Sequence, residues 1–296
     1  MPELPDIEAY LAALRPRIVN VPIDGIDLLN PFLLRTVEPP IDALLGRDIK
    51  QLSRLGKRMV FHIDNGQFLI LHLMIAGRLR WLAPGARVSG KIMLAALRFS
   101  SGTLAITEAG SKRRAMLHVA ADKNQLQSHD PGGIEPLTCT PSQFAQALTQ
   151  RNHTLKRALT DPKIIAGIGN AFSDEILLAA RLSPLKWTQK LTEDELTRLH
   201  DAATTVLKDW AERLTERYQK KFPGVGEVTA FRPEFGAHGK FKQPCPQCTT
   251  PIQRIRYSDN ETNYCPECQT DGKVLADRSL SRLLKDDWPR SIEELM

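Results

Sequence analysis

The residues best placed to do chemistry are two pairs of cysteines. Cys245 and Cys248 fall in CPQC and Cys265 and Cys268 in YCPEC, with residues 249–264 between the pairs. One CxxC turn brings two thiolates within reach of an ion. Two such turns at this separation bring four to the corners of a tetrahedron, the coordination that suits Zn²⁺. Four thiolates leave no open position for water, so the spacing predicts one structural zinc and not a catalytic one. The competing readings, a pair of disulfides or a redox CxxC, need an oxidising compartment or a thioredoxin-like βαβ pattern, and neither is visible. Cys139, alone in EPLTCTPSQF, reads as a small, partly buried thiol.

The second candidate is the opening stretch, MPELPDIEAY. Its simpler reading is a frayed end before a helix, with Pro5 at the first helical position and Ile7, Tyr10, Leu11 and Leu14 forming one apolar face. The chemical reading is that removal of Met1 leaves Pro2 with a secondary amine, a nucleophile able to form an iminium with a carbonyl carbon.

The elements that would carry these groups follow from composition and pattern. The 296 residues are 42% hydrophobic, enough for two domains with cores of their own. No apolar run reaches the roughly 20 residues that span a bilayer, and the start lacks the layout of a secretion signal. A cytoplasmic protein, at the nucleoid when on DNA, is therefore expected. Forty basic against 34 acidic residues give a net +6, a mild tilt toward polyanions. RMVFHIDNGQFLILHL reads as a hairpin about Asn65-Gly66, and LAALRFSSGTLAI as a second, so a β-sandwich or barrel is expected to about residue 130. SHDPGGIEPLT breaks the pattern as a linker. Helical periods follow, the longest opening with a capping box from Thr192 to Glu195 and carrying Leu196, Leu199, Ala203, Val206, Leu207 and Trp210 along one stripe. In the tail, Leu280, Leu283, Leu284 and Trp288 fall at helical spacing and predict a short amphipathic helix.

A PELP start, a β-domain, a helical domain and a four-cysteine ribbon, in that order, resemble the formamidopyrimidine-DNA glycosylase / endonuclease VIII family from Pro2 to Gln269. PELP is similar to the formamidopyrimidine branch. The resemblance implies an α+β multidomain fold: an N-terminal β-sandwich flanked by helices (1–130), a helix–two-turn–helix domain (131–240) and a zinc ribbon (241–269). Residues 270–296 would be an extension, since the family commonly stops soon after the finger. It also implies a monomeric, damaged-double-stranded-DNA-binding enzyme that excises oxidised purines and cuts the backbone at the abasic site. By the same resemblance Pro2 is the nucleophile at C1′ of the damaged nucleotide and Glu3 the adjacent acid/base. Lys57, in RLGKRMV, and Lys156, in TLKRALTD, are phosphate-binding lysines. Asn170, in GIGNAFSDE, offers amides to a phosphate at a helix mouth, and Met74, in HLMIAGR, fills the gap left by the flipped base. Arg113 and Arg114 lie on the loop that intercalates opposite the lesion. The alternative is a non-excising protein that binds damaged or abasic DNA.

Three positions depart from the family pattern. Asp6 shortens a carboxylate near the site, Ala115 stands where an aromatic wedge follows the arginine, and Asn260 replaces the finger arginine five residues before Cys265. Arg254 and Arg256 are the nearby cations. With less help in extruding a stacked base, the chain is expected to cut abasic sites more readily than it excises paired 8-oxoguanine.

Overall fold

The PELPDIEAY opening is helical from its fourth residue. α1 (Leu4–Ile18) has Glu3 as N-cap, and its apolar face, Ile7, Tyr10, Leu11, Leu14 and Ile18, is 0–1% exposed. Burial of such side chains contributes roughly 1.5–3 kcal/mol each, which explains why this end of the chain does not fray. The computed structural model describes every residue except 111, 225, 258–259, 278–280, 282, 284–288 and 296; of Tyr257, Asn260 and Leu295 it describes the backbone alone.

Eight strands follow: β1 (Gly25–Leu28), β2 (Ile49–Leu55), β3 (Arg58–Ile63), β4 (Phe68–His72), β5 (Gly77–Leu82), β6 (Met93–Phe99), β7 (Gly102–Glu108) and β8 (Met116–Ala120). They form two antiparallel four-stranded sheets, ordered β1-β6-β7-β5 and β2-β3-β4-β8. Alternation decides the inward faces: Phe61, Leu69, Leu71 and Leu117 from one sheet and Leu97, Leu104 and Ile106 from the other share one core with α1. Both expected hairpins form. The first loop is longer than the two residues of its Asn-Gly signal, because Ile63 and Phe68 bound it and Asn65 Oδ1 accepts the Gln67 N–H. The second turns tightly, with Phe99 opposite Gly102. A short α2 (Lys123–Ser128) is capped by Asp122, whose carboxylate accepts the Gln125 N–H at 2.9 Å.

The chain divides into two compact units, residues 1–131 with 209–229, and 132–208 with 230–296. The second contains α3 (Pro141–Thr149), α4 (Leu155–Thr160), α5 (Asn170–Ala179) and the start of α6 (Glu193–Tyr218). The box at the head of α6 forms as expected: Glu195 N donates to Thr192 Oγ1 and Thr192 N to Glu195 Oε2. Leu199, Ala203, Leu207 and Trp210 of its stripe are buried. Residues 209–229, the end of α6 and the chain after it, pack with the first unit. There Phe222 lies 6.0 Å from the Tyr10 ring and 6.2 Å from that of Trp81, and the Arg17 guanidinium packs over Trp81 and Phe222 and donates to Lys220 O.

The cysteine segment adds the hairpin β9 (Gln253–Tyr257) and β10 (Asn260–Tyr264) and a one-turn α7 (Pro266–Thr270). Beyond it, residues 272–274 and 290–292 run antiparallel, bridged at Lys273 and Ser291. Of the helix expected in the tail, Leu280, Leu284 and Trp288 lie outside the described residues, and Leu283 is 76% exposed. No described helix is long and apolar enough to cross a membrane.

Candidate catalytic terminus and nucleic-acid interface

In the first unit, local rules bring charged groups to the start of the chain. Glu3 caps α1 and its backbone N–H donates to Asp6 Oδ2 at 2.9 Å, closing a capping box in which both carboxylates are buried, 3% and 2% exposed. The shorter Asp6 therefore still reaches the cap. Lys57 follows Gly56 in the β2–β3 turn and is 9% exposed. Burial lowers the pKa of Lys57, opposed by the Glu3 carboxylate, and burial likewise lowers that of the Met1 α-amine, with Glu3 and Asp6 opposing and Arg78 and Lys57 adding to the fall. Pro2 is buried, and the Met1 amine next to it feels the charges of two carboxylates, a lysine and an arginine. An amine held here is biased toward its uncharged, nucleophilic form, with carboxylates at hand for proton transfer. In the same unit a cavity of about 80 Å³ is lined by Tyr10, Arg78, Thr107, Gly224 and Gly226, among others.

The turn from β4 to β5 determines which side chain stands out. Gly77 N–H closes on Leu73 O at 2.9 Å, and a Cβ at Gly77 would meet that oxygen at 2.2 Å, so only glycine fits. Met74, at φ 52°, is half-buried, while Ile75 beside it is 56% exposed. Sequence reasoning passed over Ile75 because an isoleucine in an apolar run reads as core. Arg113 and Arg114 are exposed on the loop between β7 and β8, where Arg113 donates to Lys91 O. Ala115 is not on that loop's surface: it is 3% exposed in the sandwich core, and its N–H, like that of Arg114, is held by Glu108 Oε2. Position 115 therefore cannot be the wedge site that the sequence reading made it. A larger side chain there would have to enter the core.

In the second unit a fully buried carboxylate collects the polar groups. Asp174, 0% exposed on α5, accepts from Lys156 Nζ at 2.5 Å and from Asn263 N at 3.2 Å, and its Oδ2 lies 2.7 Å from His238 Nδ1. Lys156 also donates to Asn170 O at 2.7 Å. Asn170 is the first residue of α5, after Gly169 and a left-handed Gly167, and its side-chain amide donates to Glu261 O at 2.9 Å. This unit thus brings Lys156 and Asn170 together as the sequence implied, and ties both to β10. Asp174 gave no signal in the sequence, because its partners come from three separated segments.

The four cysteine sulfurs all lie within 4.8 Å of one another, with Cys248 Sγ 3.4 Å from Cys265 Sγ. A tetrahedral ion with bonds of about 2.3 Å would hold its sulfurs roughly 3.8 Å apart, so the donor set fits a metal ion. Cys245 and Cys265 Sγ accept the N–H groups of Gln247 and Cys268, the turn geometry that converges the thiols. The fold around them is locally strained. Lys242 and Thr249 both adopt left-handed backbone, at φ 67° and 64°, with their N–H groups bonded to Ile252 O and Cys245 O. The side chain of Asn260 lies outside the described residues.

A family profile described as the formamidopyrimidine-DNA glycosylase N-terminal domain matches residues 1–132, and one described as the formamidopyrimidine-DNA glycosylase H2TH domain matches residues 133–218. The chain is 31% identical over 273 residues to the formamidopyrimidine-DNA glycosylase of Chloroflexus aggregans, covering 91% of this chain and 98% of the relative. To that of the Wolbachia symbiont of Brugia malayi it is 31% identical over 273 residues, covering 91% and 100%. Among solved structures, Lactococcus lactis formamidopyrimidine-DNA glycosylase bound non-covalently to DNA with an AP site superposes with a TM-score of 0.79 at 26% identity, covering 90% of this chain and 99% of that one. MutM in complex with DNA containing carbocyclic 8-oxo-G gives 0.77 at 25%, covering 91% and 100%.

The Asp174 cluster makes a stability prediction. Asp174→Ala strands the Lys156 and His238 donors in a buried site and should lower the unfolding free energy by about 3–5 kcal/mol, whereas Asp174→Asn, which keeps an acceptor oxygen, should cost less. Urea denaturation of the intact protein measures both, and a loss below about 1 kcal/mol for the alanine variant contradicts the reading.

Proposed function

This chain belongs to the formamidopyrimidine-DNA glycosylase family, and from that premise we propose that it is a base-excision DNA glycosylase with AP lyase activity, acting on oxidised purines or abasic sites through Pro2 as the first residue. The observation that carries the reading is the buried start of the chain, where Pro2 is buried and the adjoining Met1 amine feels the charges of Glu3, Asp6, Arg78 and Lys57. The Pro2 nitrogen attacks C1′, the N-glycosidic bond breaks and the base leaves with its electron pair, taking up the proton that the amine nitrogen gives up. Glu3 delivers a proton to O4′, which departs from C1′ and opens the sugar as an iminium. Loss of a C2′ proton with expulsion of the 3′-phosphate then cuts the strand.

Lys57 in the first unit, and Lys156 and Asn170 in the second, are assigned to phosphates. Arg113 and Arg114 are assigned to the strand opposite the lesion. Lys156 is supported in this by its fixed position against Asp174 and Asn170. Filling of the vacated stack is assigned to Ile75 with Met74 behind it, since a wedge must be exposed before it can insert. The four cysteines are assigned to one zinc ion, held for structure, with no position open for water.

Sodium borohydride should trap the protein covalently on abasic DNA when Pro2 is the terminal residue. An N-terminal extension should abolish trapping, and equal cross-linking with and without it would exclude Pro2 as the nucleophile. Ile75→Ala should slow excision of a paired lesion roughly tenfold, equivalent to ~1.4 kcal/mol, and Met74→Ala less. The reverse ranking in single-turnover assays returns the wedge to Met74. Elemental analysis of the purified protein should find about one zinc per chain, and a Cys245–Cys248 disulfide would defeat the assignment.

A further inference from the structure

We propose that Arg256 is the phosphate-contacting cation of the finger and that Asp277, from the segment after it, is the positioning residue that holds Arg256 in place; the proposal rests on the reading of this chain as a DNA glycosylase. With Asn260 the finger has no charge at the position where a cation was expected, and β9 offers two arginines. Arg254 and Arg256 are two residues apart on one strand, so they share a face of the hairpin with their cross-strand partners Asn263 and Glu261. The backbone edge of β10 in the same hairpin borders the phosphate-assigned groups: Asn263 N–H meets Asp174, and Glu261 O receives the side-chain amide of Asn170.

The two arginines are not equivalent. The Arg254 guanidinium lies 4.1 Å from the Phe241 ring centroid and 3.5 Å from Glu261 Oε2, with its side chain 31% exposed, so it is stacked on the ring. Arg256 is 61% exposed and stands 4.0 Å from Glu261 Oε2, a separation at which an exposed pair contributes little. Its charge is available to a phosphodiester.

What orders Arg256 is its backbone. A two-stranded hairpin is marginal alone, and its outer edge presents unpaired N–H groups. The outward N–H of Arg256 donates to Asp277 Oδ2 at 2.7 Å, a charge-assisted bond made by a carboxylate only 2% exposed. The segment carrying Asp277 is fastened to the finger one step earlier, where Leu275 N–H donates to the hydroxyl of fully buried Tyr264 at 2.7 Å. It is steadied by its own return, Val274 N–H to Arg290 O and Ile292 N–H to Gly272 O, each at 3.0 Å. The carboxylate is thereby spent on the strand edge, which keeps its charge away from the face that meets DNA.

The test is fluorescence anisotropy of the full-length, metal-loaded protein on two duplexes, one undamaged and one carrying a tetrahydrofuran abasic analogue, across a salt series. Arg256→Ala should lower the slope of log K against log[salt] by about one unit on both duplexes and weaken binding about five- to tenfold near 0.15 M salt, while Arg254→Ala leaves the slope unchanged. Asp277→Ala should weaken binding severalfold with zinc content retained. Asp277→Asn, which keeps an acceptor oxygen, should bind like the parent, and Asp277→Ala combined with Arg256→Ala should be no weaker than Arg256→Ala alone. An unchanged slope for Arg256→Ala overturns the contact. Additive effects in the double variant, or loss of zinc from Asp277→Ala, overturn the positioning role. Borohydride trapping by the parent separates this from the function itself: normal salt behaviour without trapping refutes the lyase and leaves Arg256 standing.

Discussion

The first unit depends on a constraint that chains rarely satisfy, a terminus held still enough to do chemistry. Terminal residues are ordinarily loose because little apolar surface offsets their conformational entropy. Here the reciprocal cap between Glu3 and Asp6 fixes the first turn of α1, and Ile7, Tyr10, Leu11 and Leu14 anchor that turn in the sandwich core. The cap and the core thus act on the same few residues from opposite sides. The same burial that immobilises the terminus strips water from its amine and from Lys57, so ordering and pKa depression have one cause.

Asp174 has the corresponding part in the second unit. A carboxylate with no exposure is costly unless its oxygens are matched, and the matching groups come from α4, the loop before the cysteines and β10. Satisfying one buried charge therefore aligns a lysine, a helix N-terminus and a hairpin at once. Glu175 repeats the device next door, accepting the N–H groups of Gly236, Ala237 and His238, while burial raises its pKa.

Much of this was legible in the sequence wherever the signal is local. The CxxC spacing, the Thr192–Glu195 box, the two hairpins and the apolar face of α1 are each contained within a short window and each formed. What was not legible depends on register or on distance. Ala115, the last loop residue before β8, is buried in the core and not on the loop's surface, and no composition rule sets that register. Ile75 projects because Gly77 must close on Leu73, a backbone requirement invisible in an apolar run. Asp174 and Asp277 read as ordinary helix and tail acids, since their partners lie many residues away along the chain.

The left-handed backbone at Lys242 and Thr249 bears on how tightly the ribbon keeps its ion. Each such non-glycine residue costs roughly 1–2 kcal/mol, and for a small metal-ordered module the free energy of ion capture is also the free energy of folding it. The two residues therefore draw on the affinity itself, at about tenfold for every 1.4 kcal/mol. Holding an ion, a ribbon built this way would yield it to a competing chelator sooner than one with glycines at the same bends. Metal supply would then bear on how much of the ribbon is ordered.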